Sequence, residues 1–85
     1  MTVLASVQTQ LEKLGDSEAG RLLASVVCSA YWGGEYVVSL RDLSTKFDSE
    51  NLGLVVALLD YRNTPNWSDN DFWRLACFAK AMHDL

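Results

Sequence analysis

Eighty-five residues exclude two independent cores, because halves of that length would each bury too little apolar surface to stay folded. A composition of 49% hydrophobic and 21% charged residues excludes a disordered tail. The net charge of −4, with Lys13, Arg21, Arg41, Lys46, Arg62, Arg74 and Lys80 scattered among eleven acids, leaves no basic stripe for phosphates, so no direct nucleic-acid partner is expected.

Leu4, Val7, Leu11 and Leu14 recur at three- and four-residue spacing and predict a helix over residues 2–14. Gly15 ends it, since glycine accepts a left-handed backbone without steric cost. Asp16 or Ser17 caps a second helix, with Glu18 in its first turn. Leu22, Leu23, Val26, Val27 and Ala30 form its buried face, and Arg21, Ser25 and Ser29 its wet side. This helix runs to Tyr31 and Trp32, where Gly33 and Gly34 break it. Val37 and Val38 favour an extended segment, but a lone strand has no partner, so residues 35–39 are read as a connector.

Ser39 caps a short third helix over residues 40–46, with Asp42 in the partner position of a capping box. Asp48 caps a fourth helix in which Leu52, Leu54, Val55, Val56, Ala57, Leu58, Leu59 and Tyr61 leave almost no polar face. A helix apolar all round is expected in the middle of a bundle. Gly53 inside it is read as the point where a neighbouring helix comes close. Residues 63–66 form a turn closed by Pro65. Ser68 caps a last helix reaching about Met82, with Asp71 repeating the capping-box pattern and His83 at the negative end of the dipole. The expected fold is all-α: one domain, residues 1–85, built as a small orthogonal bundle of four main helices plus one short helix.

The longest apolar run, residues 52–59, falls far short of the ~20 residues that cross a bilayer. The first residues lack the basic region of a secretory signal. A cytoplasmic protein with no membrane partner is expected. Cys28 and Cys77 lie in apolar helical stretches and read as buried, reduced thiols.

No motif carries chemistry, and no catalytic, cofactor-binding or metal-binding residue is expected. His83 is the sole histidine and sits two residues from the last one, where chains fray. A calcium loop begun at Asp69 would need Gly and Glu where Arg74 and Lys80 stand. The two cysteines and one histidine have no zinc spacing. Asn66-Trp67-Ser68 fits the glycosylation pattern, which has no bearing in a cytosolic chain. The aromatic residues are more informative. They cluster at helix ends, where they either plug the bundle or form a contact patch, because Trp and Tyr dominate interaction hot spots. Trp32, Tyr36, Trp67 and Trp73 are the candidate partner-binding residues.

The stretch from Ala24 through Tyr31-Trp32, then Gly33-Gly34, Ser39-Leu40-Arg41-Asp42-Leu43 and Phe47-Asp48 before an apolar helix, forms an ordered pattern. Over residues 20–60 it resembles a family of short, uncharacterised bacterial proteins carried on plasmids and integrated elements. That resemblance implies a bacterial, cytosolic accessory protein and assigns no residue a role. The expected function is a non-catalytic protein–protein interaction module, acting on an unidentified protein partner or on itself. An alternative is an acidic inhibitor of nucleic-acid-directed machinery, which requires Glu35, Asp48, Asp60, Asp69 and Asp71 on one face. A small enzyme is the third reading and requires a polar pocket around Cys28 or Cys77.

Overall fold

Five short polar side chains start the five α-helices of the computed structural model, which describes residues 2–85. Thr2, Ser17, Ser39, Asp48 and Ser68 each accept the backbone N–H three residues on, at 2.9–3.4 Å. Each bond satisfies one of the donors that a helix start leaves free. The helices are α1 (Val3–Leu14), α2 (Glu18–Trp32), α3 (Leu40–Lys46), α4 (Ser49–Leu59) and α5 (Asp69–His83), with a 3-10 turn at Tyr61–Asn63. Gly15 and Gly33 follow α1 and α2 with φ of 56° and 82°, a backbone region that glycine enters freely. The described residues contain no strand, so residues 35–39 are indeed a connector.

The capping boxes are half formed. Asp42 and Asp71 give their N–H groups to Ser39 and Ser68, but the return bond from serine N–H is not made by either aspartate. At Ser68 the N–H donates instead to the Tyr61 hydroxyl, 2.7 Å away. Aspartate is one methylene shorter than the glutamate that usually closes the box.

The chain forms a helical bundle whose central pair is α2 and α5. The Cys28 thiol donates to the Ala76 carbonyl at 3.8 Å, and the Tyr31 hydroxyl donates to Asp69 at 3.0 Å. The end of α2 therefore meets the start of α5, and the two run antiparallel. Leu23, Ala24, Val27 and Cys28 on one helix and Phe72, Leu75, Ala76 and Ala79 on the other are buried. Helix α1 lies against α2, α4 and α5, and contributes Leu4, Val7 and Leu11 to the core.

Two expectations for α4 are overturned. It lies at the periphery: Asn51, Val55 and Leu58 are buried, while Val56 and Leu59 are 66% and 64% exposed. Apolarity on every side gives a helix no preferred face. The longer α2 and α5 take the centre, and α4 covers what they leave. Nor does Gly53 admit a neighbour, because no atom lies within 4 Å of where its Cβ would stand. The close approach occurs at Gly20, whose Cβ would collide with the Gly15 carbonyl oxygen and lie 3.2 Å from Leu14 Cβ. The tight turn between α1 and α2 folds the first turn of α2 onto the end of α1.

A buried polar bridge joins α1 to α4. The Gln10 side-chain amide donates to the Asn51 carbonyl oxygen at 2.9 Å, across 41 residues of chain. Removing one partner strands the other, so Asn51→Leu is expected to cost about 1–3 kcal/mol. The double replacement Gln10→Leu with Asn51→Leu removes both polar groups and is expected to recover most of that loss. Urea unfolding of the two single variants and the double variant checks this; additive losses would show that the two side chains do not interact.

Candidate functional site

Two surfaces have features beyond packing. The first is the aromatic end, where α2 stops and α5 begins. Its rings form a chain: Tyr36 to Trp32 at 5.9 Å, Trp32 to Tyr31 at 5.3 Å, Tyr31 to Phe72 at 5.2 Å, and Phe72 to Tyr61 at 5.6 Å between centroids. Most meet edge to face, the arrangement the ring quadrupoles favour. The Arg62 guanidinium lies 4.8 Å from the Phe72 ring centre and donates to the Ala30 carbonyl at 3.2 Å. Lys80 Nζ stands 5.4 Å from the Trp32 ring centre, a cation–π contact. Burial, and then the hydrogen bond to Asp69, push the Tyr31 hydroxyl above its ordinary pKa.

The four residues singled out from the sequence therefore divide. Trp32 and Tyr36 stand together, half-buried, in the aromatic chain. Trp67 and Trp73 are close to half exposed and pair with no ring among the described residues. The first pair belongs to the plug, and the second faces solvent beyond it.

The second surface carries no aromatic residue and escaped the sequence reading. Val38, Leu40 and Leu43 face Val55 and Leu59 across a groove of about 240 Å³ floored by Val26 of α2. Around it Val37 is 91% exposed and Leu40 81%, joined by the outward Val56 and Leu59. Single exposed apolar residues are ordinary, but neighbouring ones on two adjacent elements form a patch of the kind that marks interaction sites. The signal lay in the excess of apolar residues in α4, which had been assigned to the core. A wider groove of about 550 Å³ lies between the start of α1 and α5, lined among others by Gln8, Pro65, Asp71 and Arg74.

The groups suited to chemistry are not brought together. Cys28 is fully buried in α2, whereas Cys77 is only half-buried, contrary to the expectation that both are sequestered. His83 is not frayed: it is buried at the end of α5, with Nε2 unpartnered. Six residues along one helix separate Cys77 from His83, about 9 Å of rise and a different face. No three His, Cys, Asp or Glu side chains among the described residues are grouped to hold a metal. The acids are also dispersed. Asp48 and Asp60 cap opposite ends of α4, while Asp60 accepts from Asn63 and Asp69 from Tyr31. Nothing gathers them into a phosphate-like face.

Burial raises the Cys28 thiol above its ordinary 9.0. A buried thiol that resists ionisation is unreactive. A thiol reagent is expected to modify Cys77 in the folded protein and Cys28 only on unfolding, a difference that peptide mapping after partial labelling would read. Above pH 9 the unfolded chain ionises at Cys28 while the folded chain keeps its proton, so stability present below that pH declines as pH rises. Equal labelling of the two cysteines would contradict the burial of Cys28.

No helix among the described residues is long and apolar enough to cross a membrane. Compared with protein-family models, curated proteins and solved structures, the chain matches none of them.

Proposed function

We propose that this chain is a non-catalytic protein–protein interaction module that docks through the apolar α3–α4 face. The observation that supports this reading is the exposure of Val37, Leu40, Val56 and Leu59 around one apolar groove. Folding a single copy leaves that surface in water, and a protein partner would remove it. The resemblance of residues 20–60 to bacterial accessory proteins fits a module of this kind acting in a bacterial cytoplasm. Trp67 and Trp73 form the competing surface.

The test is capture from bacterial lysate with a tagged chain, co-expressed with an untagged copy of itself. Wild type is compared with a Val56→Glu, Leu59→Glu variant and a Trp67→Ala, Trp73→Ala variant, each checked for helical content. A stoichiometric protein lost with the α4 variant and kept with the tryptophan variant supports the reading. Loss with the tryptophan variant alone moves the contact to the aromatic end. Recovery of no protein, not even the untagged copy, overturns the interaction reading.

A further inference from the structure

We infer that the occupant of the α3–α4 face is a second copy of this chain, with the two α4 helices packed antiparallel across a twofold axis near Gly53 and Val56. This rests on the interaction reading above and names its partner.

Leu52, Val56 and Leu59 recur at four- and three-residue spacing, so they form one stripe on α4. Leu40 adjoins the Leu59 end of that stripe, since both line the same groove. Val37, Leu40, Val56 and Leu59 together expose on the order of 500 Å², at the upper end of the patches single-copy proteins carry. With the rim around it, the face approaches the ~800 Å² per partner that a standard interface covers.

Gly53 lies one turn from Val56 and is itself exposed, with open space where a side chain would be. Glycine inside a helix weakens it, and nothing within one copy returns that loss. A second helix crossing at Gly53 would come close enough to use the gap.

The charges select a second copy over a foreign partner. Helix α3 leads into α4 through residues 47–48 and lies back along it, which places exposed Arg41 beside the Leu59 end and exposed Glu50 at the other end, about 16 Å away along the helix. Among the described residues the one ion pair is Lys46–Glu18, so Arg41 and Glu50 are unpaired. The other charges near these ends are engaged locally: Lys46 by Glu18, Asp60 by Asn63, and Asp48 as the cap of α4. Asp42 is half-buried at the start of α3. A half-turn about the middle of α4 exchanges its two ends. It brings Arg41 of one copy to Glu50 of the other, lays apolar stripe on apolar stripe, and sets the helix dipoles antiparallel.

Sedimentation equilibrium from low to high micromolar concentration tests this. The wild-type mass is expected to rise from 9.5 kDa toward twice that value. Val56→Glu and Gly53→Leu are expected to stay at the single-copy mass. Gly53→Leu should also melt higher as a monomer, which separates lost association from lost folding. Arg41→Glu should weaken the dimer several-fold, and adding Glu50→Arg should restore it. A wild type that is monomeric throughout overturns the second copy; if the α4 variant nevertheless loses a captured protein, the interaction reading stands with a different partner. A dimer indifferent to Val56→Glu and Gly53→Leu overturns the face, and a charge swap that restores nothing overturns the antiparallel arrangement.

Discussion

Phe72→Ala is expected to remove about 3–5 kcal/mol of stability, a large share of the 5–15 kcal/mol by which small domains hold together. Phe72 is the largest fully buried side chain. It touches the Tyr31 ring from one side and the Tyr61 ring from another, with the Arg62 guanidinium over its face. Truncation leaves a cavity where the connector after α4 joins the start of α5, and it removes the surface on which Arg62 rests. The rings around the cavity are tied elsewhere, Tyr31 to Asp69 and Tyr61 to Ser68, so they cannot collapse cheaply into it. Urea unfolding followed by circular dichroism measures the loss. A loss under about 1 kcal/mol would mean that the aromatic end is not packed as described. Phe72→Leu, which keeps most of the volume, should lie between alanine and wild type.

Gly20→Ala and Gly53→Ala are expected to move stability in opposite directions, although both place a better helix former inside a helix. Helix propensity alone favours alanine by up to about 1 kcal/mol at either position. At Gly20 the new methyl group meets the Gly15 carbonyl oxygen and the Leu14 backbone and Cβ. Backbone cannot swing aside as a side-chain tip can, so α2 would have to shift off the end of α1. Overpacking of this kind costs about 1–3 kcal/mol, which exceeds the propensity gain. At Gly53 the methyl group enters open space, and the gain survives. Thermal melts at a concentration where the chain is monomeric would show the Gly20 variant melting lower and the Gly53 variant higher. Equal and positive shifts would remove the tight α1–α2 junction from the account.

The opposite signs show where sequence reading stops. Both glycines sit in helical stretches, and Gly53 drew attention because its neighbours are apolar. What separates the two positions is the turn at residues 15–17, which returns α2 against α1 and leaves α4 facing outward.

The same division runs through the candidate surfaces. Trp32 and Tyr36 lie four residues apart around a glycine turn, so their meeting was legible from local spacing. Trp67 and Trp73 were legible as aromatic, but not as exposed and separate from the ring chain. Val56 and Leu59 were visible as apolar residues and misplaced, because a uniformly apolar helix gives no sign of which side will be covered. The Gln10–Asn51 bond gave no local signal at all, since its partners are 41 residues apart.

By itself the sequence determined the class of the fold and the places where its helices begin and end. Ser17, Ser39, Asp48 and Ser68 each bond to a backbone group three residues away, and Gly15 and Gly33 set their own backbone angles. Such interactions are complete within a few residues and do not depend on what packs outside them. The tertiary structure decided which helices hold the centre, which glycine is indispensable, and which apolar side chains remain in water. Burial is a relation between elements distant in the chain: α2 and α5 fill the middle with each other's small and aromatic residues, and α4 keeps its outward face because no further element of this chain reaches it.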